Sequence, residues 1–146
     1  MRIITFLPVL LITLFFGACN ETKQVIDVAG NIQLSGSYTI TSIASKSIEG
    51  STLSLSFDPI DKLVRGQTGC NSFFGNYTLE FYNLSFGEMG VSERYCDEAA
   101  MEIESNYLNA LRSTGSYALR NNVLTLFSGI DKSVLLQATK EVKDLN

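Results

Sequence analysis

The chain of 146 residues has no histidine and no tryptophan, and only two prolines and three cysteines. Each shortage removes something. Without an imidazole, Ser-His-Asp and Cys-His activation of a nucleophile are excluded. Zinc would have only thiols and carboxylates to draw on, short of the usual Cys/His sets. Positive charge is also scarce, with 11 Lys and Arg against 15 Asp and Glu. Nothing clusters them into the basic patch that phosphate neutralisation requires, so nucleic acid is not an expected partner. A phosphate-cradling loop is missing as well, because "GQTG" at 66–69 lacks the lysine and helix start that make such a loop work. No cofactor is implied.

What is present begins at the N-terminus. Arg2 precedes an apolar run from Ile3 to Phe16, followed by Gly17-Ala18-Cys19-Asn20. A positive start, a short apolar stretch and small residues at the cut site describe a secretory signal. The run is too short for a transmembrane helix, which needs roughly 20 apolar residues. Cysteine directly after Gly17-Ala18 resembles a bacterial lipobox, although Phe16 stands where leucine is usual. The expectation is that Cys19 is lipidated with fatty acyl chains and becomes the first residue of an envelope lipoprotein. An ordinary signal that leaves Cys19 as a free thiol is the other reading. Asn20 differs from the aspartate that retains lipoproteins on the inner membrane of enteric bacteria, which favours the outer membrane. The expected organisation is a signal over 1–18, lipidated Cys19 and a flexible tether over 19–33, one domain over 34–138 and a tail over 139–146. Removing Arg2 leaves 10 Lys and Arg against 15 Asp and Glu, a formal charge of −5.

Beyond the tether, apolar residues recur with period two, the signature of strands with one buried face. Tyr38 and Ile40 alternate with threonines; Leu53, Leu55 and Phe57 alternate with serine until Asp58-Pro59; Val64, Gly66 and Thr68 lead to Gly69-Cys70. Tyr77, Leu79 and Phe81 are followed by a turn at Asn83 and by Leu84 and Phe86. The period then changes. Between Asp97 and about Ser113, Ala100, Ile103, Tyr107 and Leu111 mark an amphipathic helix widened by Met101, Leu108 and Ala110, with Asp97 as N-cap. Three further strands carry Tyr117 and Leu119, Leu124 and Leu126, and Val134 and Leu136, with turns at Asn121-Asn122 and Gly129. The expected fold is mainly β (α+β): a small antiparallel β-barrel or rolled sheet of about eight strands with one helix inserted late. Phe73, Phe74, Tyr77, Phe81 and Phe86 are expected to fill it.

Gly69-Cys70-Asn71 with Phe73-Phe74-Gly75 and Tyr77 resembles the G-C-N-x-F-x-G-x-Y signature of the META-domain family, to which HslJ-type heat-shock lipoproteins belong. The family motif falls on Gly69, Cys70, Asn71, Phe74, Gly75 and Tyr77. Leu84-Ser85-Phe86, the helix residues Glu104, Tyr107 and Leu111, and Leu124-Thr125-Leu126 extend the likeness over roughly Leu34 to Gln137. Cys96 stands where the family has its second cysteine. Two departures are visible: Ser92-Glu93-Arg94-Tyr95-Cys96 replaces a T-x-M-A-C pattern, and Tyr38 occupies a common tryptophan position. The resemblance implies an envelope domain linked to stress and antibiotic tolerance, with no established enzyme activity.

In an oxidising compartment Cys70 and Cys96 are expected to close a disulfide, with two buried thiols or a redox-active pair as the alternatives. Glu104 is the odd residue beside the helix's apolar stripe. It needs a partner, Arg94 or Arg112, or else serves with Arg94 as a candidate ligand-binding anchor. Asn71 is expected to bond its own loop. The first functional reading is a non-catalytic envelope lipoprotein that binds an envelope protein or component. The second is a carrier that holds a small apolar molecule or lipid inside the barrel.

Overall fold

The computed structural model describes residues 29–48, 50 and 52–142. The signal segment, Cys19 and the first part of the expected tether lie outside the described residues. The described chain opens in a helical segment, α1, over 29–34. Asn31 and Leu34 on it are buried, so the domain begins earlier than the expected boundary at residue 34.

Eight strands form one antiparallel sheet rolled into a nearly closed barrel: β1 (Gly36–Ile43), β3 (Ser54–Asp58), β4 (Leu63–Gln67), β5 (Ser72–Glu80), β6 (Asn83–Val91), β7 (Thr114–Arg120), β8 (Val123–Ser128) and β9 (Val134–Lys140). A two-residue strand, β2 (Lys46–Ser47), pairs only with β1. It escaped the sequence reading because its hairpin is polar. The spatial order is β6-β5-β4-β3-β1-β9-β8-β7. The chain therefore leaves one edge at β6 and returns at the other as β7. It crosses between them through the late helix, α2 (Glu98–Arg112). The edges meet where the Tyr117 N–H donates to the Tyr82 carbonyl (3.2 Å). Register shifts at Ile40/Ser42 and Gly75/Tyr77 are bulges that bend the strands enough to roll the sheet. The last strand runs to Lys140, two residues past the expected end of the domain.

Alternation sets which side chains enter. In β5, Phe73, Gly75, Tyr77 and Leu79 point inward, while Phe74 is 63 % exposed. The expectation that all five aromatics fill the barrel is therefore corrected. Phe73 and Tyr77 do so; Phe86 is only partly buried; Phe81 stands in a turn and Phe74 lies on the outer face. The turn itself is Phe81-Tyr82, with Asn83 already paired to Glu80 as the first residue of β6. Outside, the Phe74 ring covers Gly90 across the strand pair: a Cβ at Gly90 would lie 2.9 Å from that ring. Inside, a Cβ at Gly66 would lie 2.6 Å from the Phe73 ring and 2.1 Å from the Ser54 carbonyl oxygen. Only glycine lets Phe73 reach the interior there.

The interior is a contiguous apolar core. Tyr38, Phe57 and Tyr77 form an edge-to-face series, with centroids 6.0 and 5.2 Å apart. Phe73 meets Tyr107 of α2 at 5.6 Å in the same geometry, an arrangement that adds to the stabilisation from burial alone. Buried tyrosine hydroxyls need partners and have them: Tyr38 donates to the Leu34 carbonyl (2.9 Å), Tyr107 to that of Ser54 (2.9 Å) and Tyr77 to that of Asp58 (3.3 Å). At one mouth α1 packs over the end of the core; at the other, α2 lowers Tyr107, Leu108 and Leu111 into it.

Candidate functional site

The chemistry-bearing residues converge at the α2 mouth. The short loop 68–71 between β4 and β5 is closed by the Thr68 N–H donating to the Asn71 carbonyl (2.7 Å) and the Asn71 N–H donating to Thr68 Oγ1 (2.8 Å). Gly69 sits in the left-handed region (φ 90°), a conformation costly for any residue with a Cβ. This loop delivers Cys70 and Asn71 toward the segment that precedes α2.

Cys70 and Cys96 are joined as a disulfide, with their Cα atoms 6.0 Å apart. Cys96 immediately precedes Asp97, whose carboxylate caps α2 by accepting from the Ala100 N–H (2.9 Å). The bond therefore ties the strand-end loop to the first turn of the helix.

Asn71 is 3 % exposed, and its side chain does not bond the backbone of its own loop; within the loop Nδ2 meets only Cys70 Sγ, at 3.6 Å. Nδ2 donates to Glu104 Oε1 (3.1 Å) and to the Arg94 carbonyl (3.2 Å); Oδ1 accepts from the Ser92 hydroxyl (2.9 Å) and the Arg94 N–H (2.7 Å). Two donors and two acceptors are the full capacity of a carboxamide. The expectation of a local turn bond is thus corrected: this side chain joins three segments.

Glu104 is 8 % exposed on the inner face of α2. Its second oxygen, Oε2, takes the Thr68 hydroxyl. Neither arginine proposed for it serves: Arg94 meets Asn71 through its backbone and leaves its side chain exposed, and Arg112 donates to Asn109 Oδ1 (3.3 Å). Two neutral hydrogen bonds, not an ion pair, satisfy this carboxylate among the described residues. The inward stripe of α2 is consequently rotated from the expected one. Glu104, Tyr107, Leu108, Ala110 and Leu111 are buried, whereas Ile103 is exposed. Periodicity counted Glu104 as an intruder because a hydropathy pattern cannot see Thr68 and Asn71 waiting for it.

Thr68 and Ser92 were not recognised as members of the cluster. Both read as ordinary polar residues near strand ends, and the only available signal was the adjacency of Thr68 to the Gly-Cys-Asn run. Gly75 and Tyr77 complete the motif inside the barrel. A Cβ at Gly75 would lie 2.9 Å from the Glu88 carbonyl oxygen. Beside the helix, a groove of about 510 Å³ runs between α2 (Ala99, Glu102, Ile103) and the β1–β2 hairpin (Ile43, Lys46, Ile48), open to the outside. Among the described residues no three Cys, Asp or Glu side chains converge as they would to hold a metal.

A small antiparallel barrel stapled and hydrogen-bonded to a single capping helix through a Gly-Cys-Asn loop defines the class. The META domain profile matches residues 31–141, and the chain belongs to the META domain family. No curated protein matches the chain in sequence. Among solved structures it is similar to a Burkholderia xenovorans protein determined by NMR (22 % identity, TM-score 0.64, covering 80 % of this chain and 89 % of that one). It is also similar to a duf4847 family protein from Bacteroides vulgatus ATCC 8482 in a crystal structure (11 % identity, TM-score 0.58, covering 80 % and 99 %). At such identities the likeness is one of fold.

Proposed function

We propose that this protein is a non-catalytic lipoprotein of the bacterial cell envelope, acting in stress tolerance by binding an envelope protein or component. The observation that carries the reading is the internal use of the motif's thiol and carboxamide and of the polar side chains that meet them. Cys70 is in a disulfide, and the side chains of Asn71, Glu104 and Thr68 are bonded to one another and to the 92–94 backbone. A nucleophile or general base must face a substrate with a free lone pair. In this cluster the polar atoms face inward and hold the helix.

The lipobox supports attachment through Cys19, and the cysteine pair suits an oxidising envelope compartment. The carrier reading has less support. Leu55, Tyr38, Leu124, Leu126 and Leu136 are buried across the barrel interior, and the Tyr38, Phe57 and Tyr77 rings meet edge to face among them.

The test is intact-mass analysis of the protein exported in a Gram-negative host. Acyl mass on Cys19, lost in Cys19→Ala together with membrane fractionation, is the expected result. A mature chain without acyl groups would overturn the lipoprotein reading. A co-purifying small molecule that leaves on activation would restore the carrier.

A further inference from the structure

The end of the barrel opposite α2 carries exposed apolar side chains from four separate segments. Antiparallel pairing places the start of β1, the β3–β4 turn, the β5–β6 turn, the β7–β8 turn and the end of β9 together. Gly36 pairs with Phe57, Leu63 with Asn76, Tyr38 with Lys140 and Val123 with Thr139. At this end α1 lies against the β5–β6 hairpin: a Cβ on Gly30 would lie 3.3 Å from Leu79 and 3.4 Å from the Tyr117 hydroxyl. Here also are Ile32, Ile60 (88 % exposed), Phe81, Tyr82 (70 % exposed) and Val142, five of the ten large apolar residues exposed among those described.

The β5–β6 turn is the most telling part. Tight hairpins favour Asn, Asp or Gly where φ is positive, and the β7–β8 turn obeys with Asn121 and Asn122 at φ 50° and 64°. The β5–β6 turn instead holds Phe81 at φ 56°, followed by Tyr82. A bulky aromatic in the left-handed region is unfavourable, which marks Phe81 as more than a turn former; Tyr82 beside it meets the Tyr117 ring at 6.3 Å and still leaves 70 % of its surface exposed.

We propose that this end is a lipid-docking face, with Phe81 and Tyr82 entering the bilayer interface beside Ile32, Ile60 and Val142. The inference rests on the lipid-anchor reading of Cys19. Ten residue steps separate Cys19 from the first described residue, at most about 35 Å of chain. The chain from the anchor enters the domain at the α1 end, which brings that end within this reach of the bilayer. The Tyr82 ring, with its single hydroxyl, suits the headgroup region, and the Phe81 ring adds apolar area beside it. Lys62, Arg120 and Lys140 at this end are offset by Asp58, Asp61, Glu80 and Glu141, so apolar contact drives the docking and anionic lipid adds little.

The chain lacks tryptophan, so Tyr82→Trp installs a single reporter, and Tyr95→Trp installs one on the loop before α2. Each mature full-length variant is reconstituted in phosphatidylcholine vesicles containing lipid brominated near the headgroup. The expected result is blue-shifted emission at position 82, quenched at least about twofold more than at 95, with little change on adding anionic lipid. Equal, weak quenching at both positions in a chain shown by mass to be acylated overturns the docking face. A blue shift without quenching, the sign of a protein neighbour, overturns it too. If the mass shows Cys19 unmodified, the anchor reading fails separately, and the same quenching with added vesicles still decides the face.

Discussion

Asn71 is the residue on which the α2 mouth depends, because its carboxamide is bonded to both the helix and the loop before it. Asn71→Ala leaves the Arg94 N–H and one Glu104 oxygen short of partners and is expected to cost about 2–4 kcal/mol. Urea unfolding monitored by circular dichroism reads this directly. Glu104 allows a sharper comparison. In Glu104→Gln the new amide can accept from Asn71 and donate to Thr68 Oγ1, while the Thr68 hydroxyl turns to the Asn71 carbonyl 2.9 Å away. That variant should lose less than about 1 kcal/mol, and Glu104→Ala about 2–3. Equal losses in the two would mean that the charge, not the hydrogen bonding, matters. Gly66→Ala belongs to the same scale, since the added methyl meets backbone at 2.1 Å and the Phe73 ring. A loss of about 3 kcal/mol, with the Phe73–Tyr107 ring contact perturbed in aromatic NMR shifts, is expected.

At the scale of elements, α2 is held to the barrel by three attachments of different kinds. The disulfide fixes its start, the Thr68–Asn71–Glu104 cluster fixes its second turn, and Tyr107, Leu108 and Leu111 bury its second half. The covalent attachment closes a span of 26 residues, for which chain-entropy reasoning gives about 3.5 kcal/mol. Reduction, or the paired change Cys70→Ala with Cys96→Ala, should lower the urea midpoint accordingly without unfolding the barrel at 25 °C. An unchanged midpoint would show that the hydrogen-bonded cluster alone suffices. The strand pair β5–β6 depends on a smaller device: the Phe74 ring shields Gly90, where the strand has no side chain of its own.

For the whole molecule, burial has a pH signature at the alkaline side. Tyr38, Tyr77, Tyr107 and Tyr117 all have hydroxyls pushed above their ordinary pKa of 10.0, chiefly by desolvation. Tyr77 reaches about 12, with the Asp58 charge adding to burial. A raised acid pKa means that the unfolded chain releases these protons first. The stabilisation is therefore complete below pH 10 and is lost as pH rises through the folded values. Thermal midpoints should fall steeply from about pH 10 upward, alongside delayed tyrosinate absorbance. On the acid side, hydrogen bonds from the Ser128 and Ser133 side chains, then the Ser133 N–H, hold exposed Asp131 at about 2 against an ordinary 3.8. Its contribution is present above 3.8 and disappears as pH falls through 2. Ser133→Ala should move the Asp131 carboxyl titration upward in carbon NMR.

Local choices are legible in the order of residues alone. Alternation at Tyr38–Ile40, Leu53–Phe57 and Leu124–Leu126 specified strands, and Asp97 specified where α2 starts, because those signals depend on neighbours a few residues away. The Gly69-Cys70-Asn71 run carried the family, since its glycine, thiol and carboxamide are each demanded by one geometry. What the polar residues do depends on contacts between distant parts of the chain. Thr68, Asn71, Ser92 and Glu104 are separated by up to 36 positions, and their pairing exists only once β4, the loop before α2 and the helix are brought together. The same holds for Phe73 and Phe74, adjacent in the chain yet opposite in fate. Their parity within β5 depends on register and on the space left by Gly66 and Gly90, which no local pattern records.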